Sequence, residues 1–126
     1  MTIVLVDDEA TSLAIEKRYI KKFRDVDPLA FTDPAKAAAF LETNKADLII
    51  VDYSMPEMNG IEFIEAVRAG SQNRTTPIVM VTSSAFESLK SKAMLAGAQA
   101  FLTKPVSADD FKTRVLGFLA EQPDKP

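Results

Sequence analysis

The chain has 126 residues, 47% of them hydrophobic and 26% charged, with a formal net charge of −3, which suits one globular domain with a real core and leaves no room for a second. It contains no Cys and no His, and so excludes a disulfide framework, thiolate or imidazole metal sites, a Ser-His-Asp triad and His-based acid–base catalysis. The acidic balance argues against a nucleic-acid footprint, and apolar runs such as 48–51 and 78–81 fall far short of the about 18 residues a membrane helix needs.

Asp7, Asp8 and Glu9 interrupt the apolar opening too early for a signal peptide. The expectation is a soluble, cytoplasmic domain whose chemistry comes from carboxylates, hydroxyls and lysines.

In chain order, residues 2–6 (TIVLV) form a short β-branched run that predicts a buried strand. From 10 to 23, Ile15, Tyr19 and Phe23 recur at four-residue spacing, with Leu13 and Ile20 seven apart, and predict an amphipathic helix. A weaker strand is expected at 28–31. Asp33-Pro34 then supplies a side-chain cap and a first-turn proline for an Ala-rich helix reaching Leu41. Residues 48–51 are the most apolar strand candidate, and Asp52 ends them. YSMPEMNG at 53–60 is a turn-bearing loop. Helical spacing returns at 61–68 and stops at Gly70.

A strand at 77–81 ends on Thr82. Phe86, Leu89, Ala93 and Ala96 give the next helical face, capped by Gly97. A fifth strand at 98–102 precedes Thr103-Lys104-Pro105. Phe111, Val115, Phe118 and Leu119 predict the last helix, and EQPDKP at the end reads as a polar, Pro-rich tail. Five such β–α units predict an α/β fold: one five-stranded parallel sheet, doubly wound, with helices on both faces.

Ligands of such a sheet bind at the carboxyl ends of its strands. Those ends carry Asp7, Asp8 and Glu9 after the first strand, Asp52 after the third, Thr82, Ser83 and Ser84 after the fourth, and Lys104 after the fifth. Crowded carboxylates repel one another, so at least one should hold its proton too tightly, and a divalent cation would relieve the strain. Oxygen ligands without His or Cys favour Mg²⁺ or Mn²⁺ over Zn²⁺. Metal, ammonium and hydroxyl together suit the oxygens of a phosphoryl group in flight, with one carboxylate as nucleophile. Each feature has a plain structural explanation, as a turn acid, a strand-end threonine or a Lys-Pro turn. Their joint placement at the correct strand ends is what points to chemistry.

With VDDE at 6–9, DYSMPEMNG at 52–60, VTSS at 81–84 and FLTKP at 101–105, the chain resembles the receiver domain of two-component response regulators over residues 2–120. The resemblance implies the flavodoxin-like (βα)5 receiver fold over residues 1–121, followed by a polar tail or truncated linker at 122–126. It makes Asp52 the phosphoacceptor. Asp8, Asp52 and the Ser54 carbonyl become direct Mg²⁺ ligands, and Asp7 acts through a metal-bound water. It assigns Thr82 and Lys104 to the phosphoryl oxygens and a cis peptide to Lys104-Pro105. Thr82 and Phe101 become the switch pair, while Ser54 and Ser84 stand where the family tunes dephosphorylation.

The implied partners are a sensor histidine kinase or histidine phosphotransfer protein, docking near 10–20, and a second copy through the fourth helix, fifth strand and fifth helix. No direct nucleic-acid or membrane contact is expected. The domain would catalyse only its own phosphorylation and dephosphorylation.

Other readings fit less well. Nucleotide and flavin folds need a Gly-rich or Ser/Thr-rich phosphate loop where Asp7, Asp8 and Glu9 stand. A haloacid-dehalogenase-type phosphatase needs a second Asp where Ser54 stands. A receiver that binds partners without being phosphorylated is the remaining alternative.

Overall fold

The computed structural model describes residues 1–84 and 86–119. Strands β1 (Ile3–Val6), β2 (Leu29–Phe31), β3 (Leu48–Val51), β4 (Ile78–Thr82) and β5 (Ala100–Thr103) alternate with helices α1 (Ala10–Phe23), α2 (Pro34–Thr43), α3 (Gly60–Ala69) and α4 (Glu87–Ala96). A last helical segment, α5, spans 108–118 as an α turn (Ala108–Asp110), a π turn (Phe111–Val115) and a 3₁₀ turn (Leu116–Phe118). All strand pairs are parallel, in the order β2-β1-β3-β4-β5. The order reverses at β1, so right-handed crossovers place helices on both faces. This is the doubly wound, flavodoxin-like fold expected from the sequence.

Strand alternation sorts the core into two layers. Val4, Val6, Ile49, Val51, Ile78, Met80 and Phe101 pack under α2, α3 and α4. Ile3, Leu5, Leu48, Ile50, Val79, Val81 and Leu102 pack under α1 and α5. The central strands are buried throughout, as expected for strands covered on both sides.

Local chemistry fixes the helix ends. Asp33 accepts from the Ala35 N–H with Pro34 at the first helical position, and Asn59 and Glu62 form a reciprocal capping box that starts α3. Gly97 closes α4 at φ 124°, a conformation that favours glycine.

Several predicted details shift. β5 starts two residues later than its apolar run, and β2 begins after Pro28. Ile15 is not on the buried stripe of α1: it is 43% exposed, whereas Leu13 and Ile20 face inward as expected and Glu16 joins them. Phe86 sits outside the buried face of α4, as its N-cap residue, 69% exposed. In α5 the π turn adds a residue to the repeat, so Leu116 is buried and Phe118 turns outward. Residues 120–126, including the expected tail, lie outside the described residues.

Candidate functional site

The register brings the acids together. Val6 pairs with Val51, so Asp7 and Asp52 leave adjacent strands side by side, and the Asp52 N–H donates to the Val6 carbonyl at 3.0 Å. Asp7, Asp52 and Lys104 each follow by two residues a member of the layer under α1 and α5, namely Leu5, Ile50 and Leu102. Alternation therefore directs all three to the α1 side of the strand ends. Thr82 follows Met80 by two and belongs to the opposite face. There Met80 pairs with Phe101 across β4 and β5.

Asp7, Asp52 and Thr82 are buried, whereas Asp8 is exposed. One carboxylate oxygen from each of Asp7, Asp8 and Asp52 lies within 4.8 Å of the others. Lys104 Nζ donates to Asp7 Oδ2 at 2.8 Å and to Ser12 Oγ at 2.9 Å, and it stands 3.6 Å from Asp52 Oδ2. The other Asp7 oxygen accepts from the Glu9 N–H, and Asp52 Oδ1 accepts from the Tyr53 N–H. The Lys104-Pro105 peptide is cis. The Lys104 N–H donates to the Thr82 carbonyl at 2.8 Å, which ties the ends of β4 and β5 together.

Burial raises the Asp7 carboxyl above its ordinary value, ahead of the opposing hydrogen bond from Lys104, and Asp52 adds a smaller upward push. The expected elevated carboxyl is present, with loss of water as its main cause and repulsion as a minor one. For Lys104, burial pulls downward, but the bond to Asp7 and the charges of Asp52, Asp7 and Glu16 outweigh it, and the ammonium ends above its usual value.

Gly60 lets the loop after β3 close over this site. A Cβ there would meet the Asp52 carbonyl oxygen at 2.4 Å and Met80 Cε at 2.7 Å. Ser54 is exposed in that loop, beside Asp8 in a shallow groove of about 440 Å³. Ser84 is half-buried, its N–H donating to Thr82 Oγ1 at 3.3 Å, and it lines a separate cleft with Tyr53, Phe86 and Lys92. Phe101 is buried at 9% exposure.

Two residues escaped the sequence reading. Ser12 bonds Lys104, and Glu16, one turn further along α1, is 6% exposed. Burial, and secondarily the charge of Asp7, pushes the Glu16 carboxyl up to about 8. The available signal was their position: Ser12 and Glu16 are four apart on the helix that follows the acidic loop.

The fold and site define a class: a doubly wound parallel domain whose acidic pocket is faced by a lysine. A family model of the response regulator receiver domain matches residues 3–116, and the chain belongs to that family of two-component signalling domains. Among its relatives is chemotaxis protein CheY of Pseudomonas aeruginosa, 30% identical over 115 residues that cover 91% of this chain and 93% of that protein. Another is the cyclic di-GMP phosphodiesterase response regulator RpfG of Xanthomonas campestris, 30% identical over 120 residues. There the match spans 94% of this chain but only 32% of the relative.

In structure, chemotaxis protein CheY4 of Vibrio cholerae superposes with a TM-score of 0.82 at 28% identity, over 90% of this chain and 93% of that one. The receiver domain of sensor histidine kinase PA1611 of Pseudomonas aeruginosa, solved with magnesium in its active-site cleft, shares the fold. Its TM-score is 0.81 at 22% identity, over 92% of this chain and 97% of that one. Among the described residues no helix is long and apolar enough to cross a membrane.

Proposed function

We propose that Asp52 accepts a phosphoryl group from the phospho-histidine of a sensor kinase or phosphotransfer protein, and that the modified domain signals through its α4-β5-α5 face. The observation that carries this reading is the convergence of Asp7, Asp8 and Asp52 within 4.8 Å, with Lys104 3.6 Å from the proposed nucleophile.

An Asp52 carboxylate oxygen attacks phosphorus, so a P–O bond forms as the donor P–N bond breaks. The electron pair stays on the departing imidazole nitrogen. Lys104 offers its ammonium to the phosphoryl oxygens, and Thr82 offers its hydroxyl. The three carboxylates fit a hard divalent cation: oxygens on opposite sides of a Mg²⁺ ion lie about 4.2 Å apart. Asp8, Asp52 and the Ser54 carbonyl would hold the ion directly, with Asp7 acting through a bound water. Mg²⁺, or Mn²⁺ in its place, supplies positive charge to the phosphoryl oxygens when bound. The chain thereby catalyses its own phosphorylation and dephosphorylation, with Ser54 and Ser84 at the positions that would set the lifetime. Residues 1–121 form this functional unit in our reading, with 122–126 a tail or linker.

Thr82 and Phe101 share the face beneath α4, which supports them as the switch pair. Drawing Thr82 toward a phosphoryl group would vacate space beside the ring. The Phe101 rotamer with and without beryllofluoride reports on this, and an unchanged ring sinks the switch.

The deciding experiment is an intact-mass spectrum after incubation with acetyl phosphate and Mg²⁺, beside Asp52→Asn and an EDTA control. A single phosphoryl adduct confined to the unmodified protein with Mg²⁺ supports the reading. An adduct on Asp52→Asn means another nucleophile. If no adduct forms anywhere and beryllofluoride does not bind, the domain acts as a phosphorylation-independent binding module.

A further inference from the structure

Lys104 is held from α1 as well as from the acidic pocket. An ammonium carries three N–H donors. One reaches Asp7 Oδ2 at 2.8 Å and one reaches Ser12 Oγ at 2.9 Å. Asp52 Oδ2, at 3.6 Å, lies beyond hydrogen-bond length, which leaves the third N–H for whatever sits on Asp52. One partner leaves the lysine stem free to pivot about that single hydrogen bond, whereas two fixed partners hold both the ammonium and the direction of its stem.

Lys104 needs that restraint. Its four-carbon stem carries about 2 kcal/mol of rotamer entropy, and its side chain is 19% exposed. A lysine bonded to Asp7 alone could swing toward solvent. Ser12 stands in the first turn of α1, which Leu13 and Ile20 anchor to the core, so its hydroxyl is presented from a rigid element. A neutral acceptor also suits this task better than another carboxylate. It orients the ammonium without competing electrostatically with the phosphoryl oxygens for its charge.

We infer that Ser12 is a positioning residue for phosphoryl transfer: its hydroxyl holds the Lys104 ammonium between Asp7 and Asp52, with one N–H kept for the incoming phosphoryl group. The inference rests on the proposed phosphoacceptor function. It adds a residue from α1, outside the acidic loop, to the machinery at the strand ends.

The test is a double-mutant cycle read by phosphorylation rate with acetyl phosphate and Mg²⁺, using Ser12→Ala, Ser12→Thr, Lys104→Ala and the double variant Ser12→Ala/Lys104→Ala. Circular dichroism confirms folding of each. Ser12→Ala is expected to slow phosphorylation by roughly ten-fold, the size of one hydrogen bond to a charged group lost from the transition state. Ser12→Thr keeps the hydroxyl and restores most of the rate. The Ser12→Ala effect disappears once Lys104 is absent, because the serine acts through it. A Ser12→Ala rate equal to that of the unmodified protein, or an equal slowing in both backgrounds, overturns the inference.

A second readout needs no phosphoryl chemistry. Hydrogen exchange of the Lys104 ammonium, followed by ¹⁵N NMR, should accelerate several-fold in Ser12→Ala. Should the unmodified protein form no adduct and bind no beryllofluoride, the phosphoacceptor reading fails and so does the role in transfer, while accelerated exchange would still show Ser12 anchoring Lys104. Unchanged exchange removes the anchor itself.

Discussion

Glu16 carries an acid where the helix pattern calls for an apolar residue. Its neighbours in the groove between α1 and the chain after β5 are Ile15, Tyr19, Val81, Val106 and Phe111, with Ser12 and Lys104 at the polar end. Burial holds its proton up to about pH 8, against 4.5 for the free side chain. Below about 4.5 both folded and unfolded chains keep that proton. Between 4.5 and 8 only the folded chain does, so unfolding releases it and stability declines as pH rises through that window. The decline is on the order of 1.4 kcal/mol per pH unit for one fully linked group. Glu16→Gln keeps the shape and removes the titration. Thermal melts in EDTA should show little gain for Glu16→Gln near pH 4.5 and a steadily larger gain toward pH 8. A gain that does not change with pH would mean that Glu16 is ionised in the folded chain.

Among the elements, the connection from α3 to β4 shows what periodicity cannot reveal. Asn73 is 1% exposed. Its amide donates to the Leu41 and Asn44 carbonyls, and its Oδ1 accepts from the Ala46 N–H and the Thr76 hydroxyl, all at 2.8–2.9 Å. One side chain thereby bolts this connection to the end of α2 and the start of β3. Asn73→Ala leaves several of those groups without their partner and should cost about 3 kcal/mol, read as a lower urea midpoint with an unchanged slope. Phosphorylation well below the transition should survive, because Asn73 lies at the opposite end of β3 from Asp52.

The strands and α1 to α4 were legible because burial on both faces, caps and apolar spacing are local signals. Asn73 and Ser12 were not legible, since their partners lie far away in the chain. Glu16 was hidden because its charge set it apart from the apolar stripe: Leu13 and Ile20 were read on that stripe correctly, but Ile15 took the place that Glu16 fills. The π turn in α5 was equally invisible: Phe111 and Val115 keep ordinary helical spacing, and only the exchange of Phe118 for Leu116 betrays it. The gathering of Asp7, Asp8, Asp52 and Lys104 was legible, since a parallel sheet collects its strand ends at one edge.

At the scale of the molecule, the parallel register assembles acids that repel one another, and the fold must bear that cost. Lys104 offsets part of it through Asp7, but Asp8 is left at the rim with no opposing side-chain charge within ion-pair distance among the described residues. A divalent cation should therefore bind the folded chain and stabilise it, since the unfolded chain scatters the three carboxylates. Linkage gives about 1.4 kcal/mol at ten times the dissociation constant, or a melting shift of roughly 5 °C for a domain of this size. The effect should follow the pocket and not ionic strength. Mg²⁺ should raise the melting temperature of the unmodified protein, while NaCl at matched ionic strength should not. Asp8→Asn should lose most of the shift, whereas Glu65→Gln, which removes an exposed acid from α3, should keep it. A full shift in Asp8→Asn would place the cation elsewhere on this acidic surface and detach the metal from the proposed phosphoryl chemistry.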